Sequence, residues 1–201
     1  MAPRRKSPVW GCREQQQESE RVNAKLAEEI HTRAGNSSAA WQSVADDLLI
    51  ASQVLKERAA SLDLTSLVAG DPIPVEGRLG AVELMLKGMA IECLLKALWL
   101  KRGNMLIKNG KYVRVRGAGD HDLPQLASAA KFVINDLETD LLRRLSHFIQ
   151  YGGRYPVPRD AAKLRPTRSL RGGNAPATTW SSPSDGKLFD ALVSRLVFLL
   201  D

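Results

Sequence analysis

The stretch Arg78–Arg102, RLGAVELMLKGMAIECLLKALWLKR, decides the fold. Leu79, Val82, Leu86, Met89, Ala90, Cys93, Ala97 and Leu100 recur at helical spacing and make one stripe. Leu84, Met85, Ile91, Leu94, Leu95, Leu98 and Trp99 widen it until most of the circumference is apolar. Such a helix has to be enclosed by other elements, which puts it at the centre of a domain. Glu83 with Lys87 and Glu92 with Lys96 are i,i+4 pairs in the favourable order. At ~100° per residue the two pairs fall on opposite sides, so at least one is expected to be partly buried.

Upstream, residues 62–77 carry Gly70, Pro72, Pro74 and Gly77 and read as a connecting loop. Before it, Ser37 or Ser38 can cap a helix running to about Ser61, with Trp41, Val44, Ala45, Leu48, Leu49, Ala51, Ser52 and Leu55 on or near one face. Gly35, Asn36 and Ser37 break the chain ahead of that helix. Residues 1–36 form a polar extension, disordered over the first twelve residues and then helical from Arg13 to Arg33. Its stripe is thin, only Val22, Leu26 and Ile30, which suits a helix resting weakly on the body or pairing with a partner. Residues 37–201 are expected to be the helical domain.

Downstream, Gly103 ends the central helix, and MLIKNGKYVRV reads as a small hairpin about an Asn109–Gly110 turn. Asp120 or Asp122 can start a short helix to about Lys131, with Leu123, Leu126 and Ala127 inward and Pro124 in its first turn. Asn135 or Asp136 can cap the next, to about Tyr151, along Leu137, Leu141, Leu145, Phe148 and Ile149; Gly152 and Gly153 close it. From Arg154 to Pro183 there is no periodicity, a length that marks a functional or disordered connection. A last helix from Ser184, its expected cap, to Leu200 returns Leu188, Phe189, Leu192, Leu196 and Leu199 to the core. The fold class is therefore mainly α, an up-down bundle of four to five helices with a small β-hairpin insertion and a long basic loop. The composition agrees: 44% hydrophobic but 5% aromatic residues give a core of Leu, Ala, Val and Met, which suits helix packing.

The net charge of +7 is local. Arg4, Arg5 and Lys6 supply +3, and Arg154, Arg159, Lys163, Arg165, Arg168 and Arg171 less Asp160 supply +5, leaving −1 for the rest. Such segments attract polyanions, nucleic acid first among them, or serve as solvated tail and loop. The two cysteines, Cys12 in a polar segment and Cys93 in the apolar helix, suggest no disulfide framework and a reducing, cytoplasmic setting. No run of about 18 uncharged apolar residues occurs and the start has no apolar core, so neither a membrane span nor an export signal is expected.

The three histidines bound the acid–base and metal options. His31 reads as a surface residue of the N-terminal helix. His121, in Asp120–His121–Asp122–Leu123, lacks further ligands at metal-binding spacing and reads as a capping or packing residue. His147, in Arg143–Arg144–Leu145–Ser146–His147, lies at a helix end just before the basic loop; it is a functional candidate or a histidine stabilised by the helix dipole. Walker, Gly-x-Ser-x-Gly, Cys-x-x-Cys and His-Glu-x-x-His motifs are absent, and Asp46 and Asp47 diverge on their helix, so hydrolases of those types are disfavoured. No metal and no cofactor are expected.

Glu92–Cys93–Leu94–Leu95–Lys96–Ala97–Leu98, then His121–Asp122–Leu123–Pro124–Gln125–Leu126, then Arg143–Arg144–Leu145–Ser146–His147 with Arg154–Tyr155–Pro156, resembles in order and spacing the HEPN superfamily, over about residues 38–200. The resemblance implies a bundle of four or five helices, commonly a homodimer, in bacterial toxin–antitoxin, phage-defence and RNA-processing systems, often beside a nucleotidyltransferase or other antitoxin partner. Many members are metal-independent ribonucleases in which an arginine holds the phosphate and a histidine a few residues later moves the proton. Here Arg143 and Arg144 precede His147 by four and three residues, a shorter gap than the family's. Two readings follow. In one, His147, Arg143, Arg144 and Arg154 form an RNA site, Arg159, Lys163, Arg165, Arg168 and Arg171 gather phosphates, and Tyr151 and Tyr155 stack bases or pack at the core edge. In the other, the chain is a non-catalytic dimerisation or protein-interaction module. In both, Glu92 and Lys96 are a structural charge pair.

Overall fold

The computed structural model describes residues 10–61, 75–155, 160, 167–168, 174–175 and 183–201. Within them the chain is mainly helical: α1 (Trp10–Gly35), α2 (Ser38–Ser61), α3 (Val75–Lys101), α4 (Leu123–Ala129), α5 (Asp136–His147) and α6 (Pro183–Leu200). Two short antiparallel pairs accompany them, β1 (Ile107–Lys108) with β2 (Lys111–Tyr112) and β3 (Thr167–Arg168) with β4 (Asn174–Ala175). Most of the 62–77 loop lies outside the described residues, but α3 begins at Val75, so Gly77 is helical rather than part of the connection. The expectation of disorder at the N-terminus falls outside them for residues 1–9, and Trp10, Gly11 and Cys12 are already helical.

α3 is the axis. Ala90, Ile91, Leu94 and Ala97 are fully buried, and α2, α4, α5 and α6 all pack against it. Both i,i+4 pairs are largely enclosed, Lys87–Glu83 at 2.6 Å and Lys96–Glu92 at 2.7 Å. Cys93 packs as an apolar group; burial pushes its thiol up to about 11. α2 lies along α3 through Trp41, Ala45, Leu48 and Leu49, and Ser38 Oγ donates to Ala97 O at 2.9 Å. Val44 and Ala51, placed on the packed face by periodicity, are exposed, as are Leu137 of α5 and Leu199 of α6. These four lie at the margins of stripes that the neighbouring helices do not fully cover.

Local chemistry sets the boundaries. Asn109 (φ 52) and Gly110 (φ 67) take the paired left-handed conformations of a tight hairpin turn. Asp122 caps α4, accepting from Gln125 N at 3.0 Å, and Pro124 sits in the first turn. Asn135 and Glu138 form a reciprocal capping box on α5. α6 starts at Pro183, one residue before the expected Ser184 cap, with proline serving as an opening residue that needs no N–H partner. α5 does not end at Gly152 as a regular helix: it widens at Phe148–Gly152 into a π-helical turn packed on α3. Gly88 permits that approach, since a β-carbon there would stand 2.8 Å from Ile149.

α1 is held at its C-terminal end. The Asn36 carboxamide accepts from the N–H groups of Leu106 (2.8 Å) and Ile107 (2.9 Å) and donates to Ile107 O (2.8 Å), while Trp41 Nε1 donates to Gly35 O at 2.9 Å. Val22, Leu26 and Ile30 are more than half exposed, so the thin stripe does not rest on the body. No helix among the described residues is long and apolar enough to cross a membrane.

Candidate functional site

The end of α5 brings some of the expected residues together and separates others. Arg143 is exposed and has no ion-pair partner among the described residues. One helical turn later on the same face lies His147, half-buried. The Tyr151 hydroxyl and His147 Nδ1 share a hydrogen bond of 2.7 Å, with the rings edge-on at 5.4 Å and 74°. Tyr151 is only 5% exposed, and that burial raises its phenol above the ordinary value. It packs at the core edge rather than offering a face for stacking. Tyr155, by contrast, is exposed. Arg154 folds back, its guanidinium donating twice to Ile149 O, 2.9 Å from Nε, and so ties down the π-helical turn. Arg168 is in β3, where only the backbone is described, and Arg159, Lys163, Arg165 and Arg171 lie outside the described residues.

Arg144, next to Arg143 in sequence, has the opposite fate. It is buried, its two terminal nitrogens donating to Asp185 Oδ2 and Oδ1 at 3.0 and 3.1 Å and its Nε to Asp140 Oδ2 at 3.2 Å. Asp185, in the first turn of α6, is fully buried. This fork joins α5 to α6 through the core and leaves Arg144 no approach to a phosphate. Periodicity could not reveal it, because Asp185 follows a long aperiodic segment.

A second cluster forms where α3 meets the start of α4. Glu92 is buried; Lys96 Nζ donates to its Oε1 at 2.7 Å, and His121 Nδ1 bonds its Oε2 at 2.8 Å. Burial alone would raise the Glu92 carboxyl, but the Lys96 ammonium and the hydrogen bonds from His121 and Lys96 outweigh it and hold it below the ordinary value. Burial likewise disfavours charge on Lys96, yet the Glu92 carboxylate and then Tyr112 leave its ammonium above the usual lysine value. Lys96 also lies over the Trp41 and Tyr112 rings at 4.9 and 5.4 Å. His121 therefore neither caps α4, a task Asp122 performs, nor packs in the core: its side chain is 40% exposed and its backbone is left-handed, φ 63. No local pattern signals the pairing, because 29 residues separate His121 from Glu92.

The third motif joins the same hub. Leu123 N donates to Ser146 Oγ at 3.0 Å, one residue from His147. Among the described residues no three His, Cys, Asp or Glu side chains are grouped to hold a metal ion. No family model, no curated protein and no solved structure matches the chain.

Proposed function

We propose that this chain is a HEPN-like helical-bundle protein that binds RNA, with Arg143, His147 and the basic segment from Arg154 to Arg171 taking the phosphate backbone. The observation that carries the reading is the meeting of the three motifs: Glu92 bonds His121, and Leu123, two residues on, bonds Ser146 beside His147. Segments far apart in sequence thus converge as a shared helical framework requires. RNA is favoured by the local charge of +5 over 154–171 and by Arg143, a cation left in solvent next to a half-buried imidazole. A homodimer and an antitoxin partner belong to the same proposal.

The test is single-stranded RNA binding against salt. About five neutralised phosphates give a slope of log affinity against log salt of about −3.5. Arg143→Ala and a variant with Arg165, Arg168 and Arg171 neutralised each flatten that slope; an affinity indifferent to salt in the unaltered protein sinks the reading. One observation favours a non-catalytic module instead of a ribonuclease centred on α5: Arg144 is committed to Asp140 and Asp185. Salt-insensitive capture of a folded protein partner through the exposed Val22, Leu26 and Ile30 stripe of α1 would favour that second reading.

A further inference from the structure

We infer that the groove where the C-terminal ends of α3, α4 and α6 meet is a binding site for an aliphatic carboxylate, with Lys131 taking its head group. The groove measures about 510 Å³, within the usual range of small-molecule sites. Phe132 is buried beneath it, while Val133 and Phe198, 81% and 79% exposed, line it together with Leu199. These side chains form one continuous apolar surface instead of scattered single contacts with water. A ligand chain laid between them removes that surface from water.

The charges select the head group. Among the described residues no carboxylate lines the groove, whereas Arg102, Lys131 and Arg195 do. Two of these cations serve the framework. Arg102 donates to Ala130 O at the end of α4; Arg195 pairs with Glu138 at 2.5 Å, donates to Val133 O and covers the Phe132 ring at 4.8 Å. The Lys131 ammonium has neither a hydrogen bond nor an ion pair among the described residues. Its backbone is left-handed, φ 54, where α4 closes: its N–H donates to Ser128 O at 2.9 Å and the Phe132 N–H to Ala127 O at 2.8 Å. Glycine is the residue that position usually takes. A lysine kept there against the conformational cost places a lone cation at the mouth of an apolar groove, and such strain persists where function uses it. The helix ends themselves carry only partial negative charge, already met by Arg102 and by Lys101, which donates to Leu200 O at 2.6 Å.

One unpaired ammonium balances one carboxylate; a phosphate monoester would bring a second charge without a partner. The rest of the lining offers only Ser194 to orient a polar substituent, so the body of the ligand is a plain alkyl chain. Shortening that chain by two carbons weakens binding about fifteenfold if the chain is fully enclosed and about fourfold if half of it stays in water. The groove shares no lining residue with either histidine cluster, and the inference does not depend on the RNA reading.

The experiment titrates the full chain by calorimetry with decanoate, octanoate and decyltrimethylammonium, and backbone amide NMR shifts locate the bound chain. Decanoate is expected to bind once per chain, about fourfold to fifteenfold tighter than octanoate, and to shift the Val133 and Leu199 amides. Decyltrimethylammonium, with the same chain and the opposite charge, binds at least about tenfold more weakly. Lys131→Gly narrows that gap at least about threefold while the melting temperature does not fall, since glycine relieves the left-handed backbone. A purely structural Lys131 would leave the gap intact. Phe198→Ser weakens both probes at least about fivefold with the melting temperature nearly unchanged, because that ring is exposed. No saturation by about 1 mM decanoate, equal binding of the two charges, or decanoate binding that survives both substitutions overturns the inference. So does self-association that Phe198→Ser abolishes and decanoate does not compete with, which would make the groove a contact between copies.

Discussion

Replacing Asp185 by Asn tests whether Arg144 belongs to the core or to a surface site. In the native chain the carboxylate is fully buried and accepts two guanidinium hydrogen bonds at 3.0 and 3.1 Å. The amide is isosteric but neutral and can accept through one atom only, leaving Arg144 buried with Asp140 as its counter-charge among the described residues. Removing one partner of a buried pair costs about 3–5 kcal/mol, and the surviving Asp140 contact places this case near the lower end, about 3 kcal/mol. A chain of this size loses roughly 2–4 °C of melting temperature per kcal/mol, so a fall of about 6–12 °C is expected. Asp140→Asn neutralises the acceptor of a single 3.2 Å bond, which the amide oxygen can still accept, and is expected to cost about half as much. Arg144→Lys keeps the charge but loses the two-pronged geometry and should resemble Asp185→Asn. Urea and thermal denaturation of the three variants decide the matter. A loss below about 0.5 kcal/mol in Asp185→Asn, or a larger loss in Asp140→Asn, would refute the reasoning.

Three further outcomes are expected. Gly88→Ala pushes a methyl into Ile149 at 2.8–2.9 Å and should destabilise by about 1–3 kcal/mol, read from the urea midpoint; Ile149→Val in the same chain should recover part of it. Asn36→Ala removes three hydrogen bonds to the Leu106–Ile107 backbone, and the Ile107 amide should then exchange with solvent faster than the amides of α3, measured by hydrogen exchange. Glu92 ionises below its ordinary 4.5 in the folded chain, so its contribution is present above that value and is lost as pH falls through the folded pKa. Lys96 is raised above 10.5, so its contribution is present below that value and lost as pH rises through the folded pKa. Denaturation profiles of Glu92→Gln should lose dependence at both ends; an unchanged acid limb would be the contrary result.

The helices were legible because their signals are local. Apolar periodicity marks α3, Asn109–Gly110 marks the hairpin turn, and Asp122 and Asn135 mark two helix starts. What could not be read depends on partners far along the chain. Arg143 and Arg144 are neighbours in sequence, yet ~100° of helical rotation puts one in solvent and the other against Asp185. Their letters are the same; only the position of α6 distinguishes them. The letters around His121 fit a capping or packing residue, whereas its pairing with Glu92 depends on how the hairpin segment returns the chain to α3. The π-helical turn left no compositional mark, since it arises where α5 continues past His147 against Gly88. β3 and β4 pair only two residues each, too few for alternation to register.

Both histidine clusters are positioned by the same few buried groups. The Ser146 hydroxyl accepts from Leu123 N and donates to Leu142 O at 2.8 Å, so the start of α4, and with it His121, is indexed to the turn of α5 that precedes His147. α3 completes the triangle through Glu92. A core substitution at any vertex therefore moves both imidazoles and the stability together, and cannot separate chemistry from folding. Exposed side chains can. Arg143 on α5 and Lys111 on the hairpin make no ion pair among the described residues, so charge reversal at either should alter contact with a polyanion while the melting temperature stays nearly constant. If Lys111→Glu and Arg143→Glu each weaken RNA retention, the polyanion lies across both faces. Weakened retention from Arg143→Glu alone would instead put the whole contact at the end of α5.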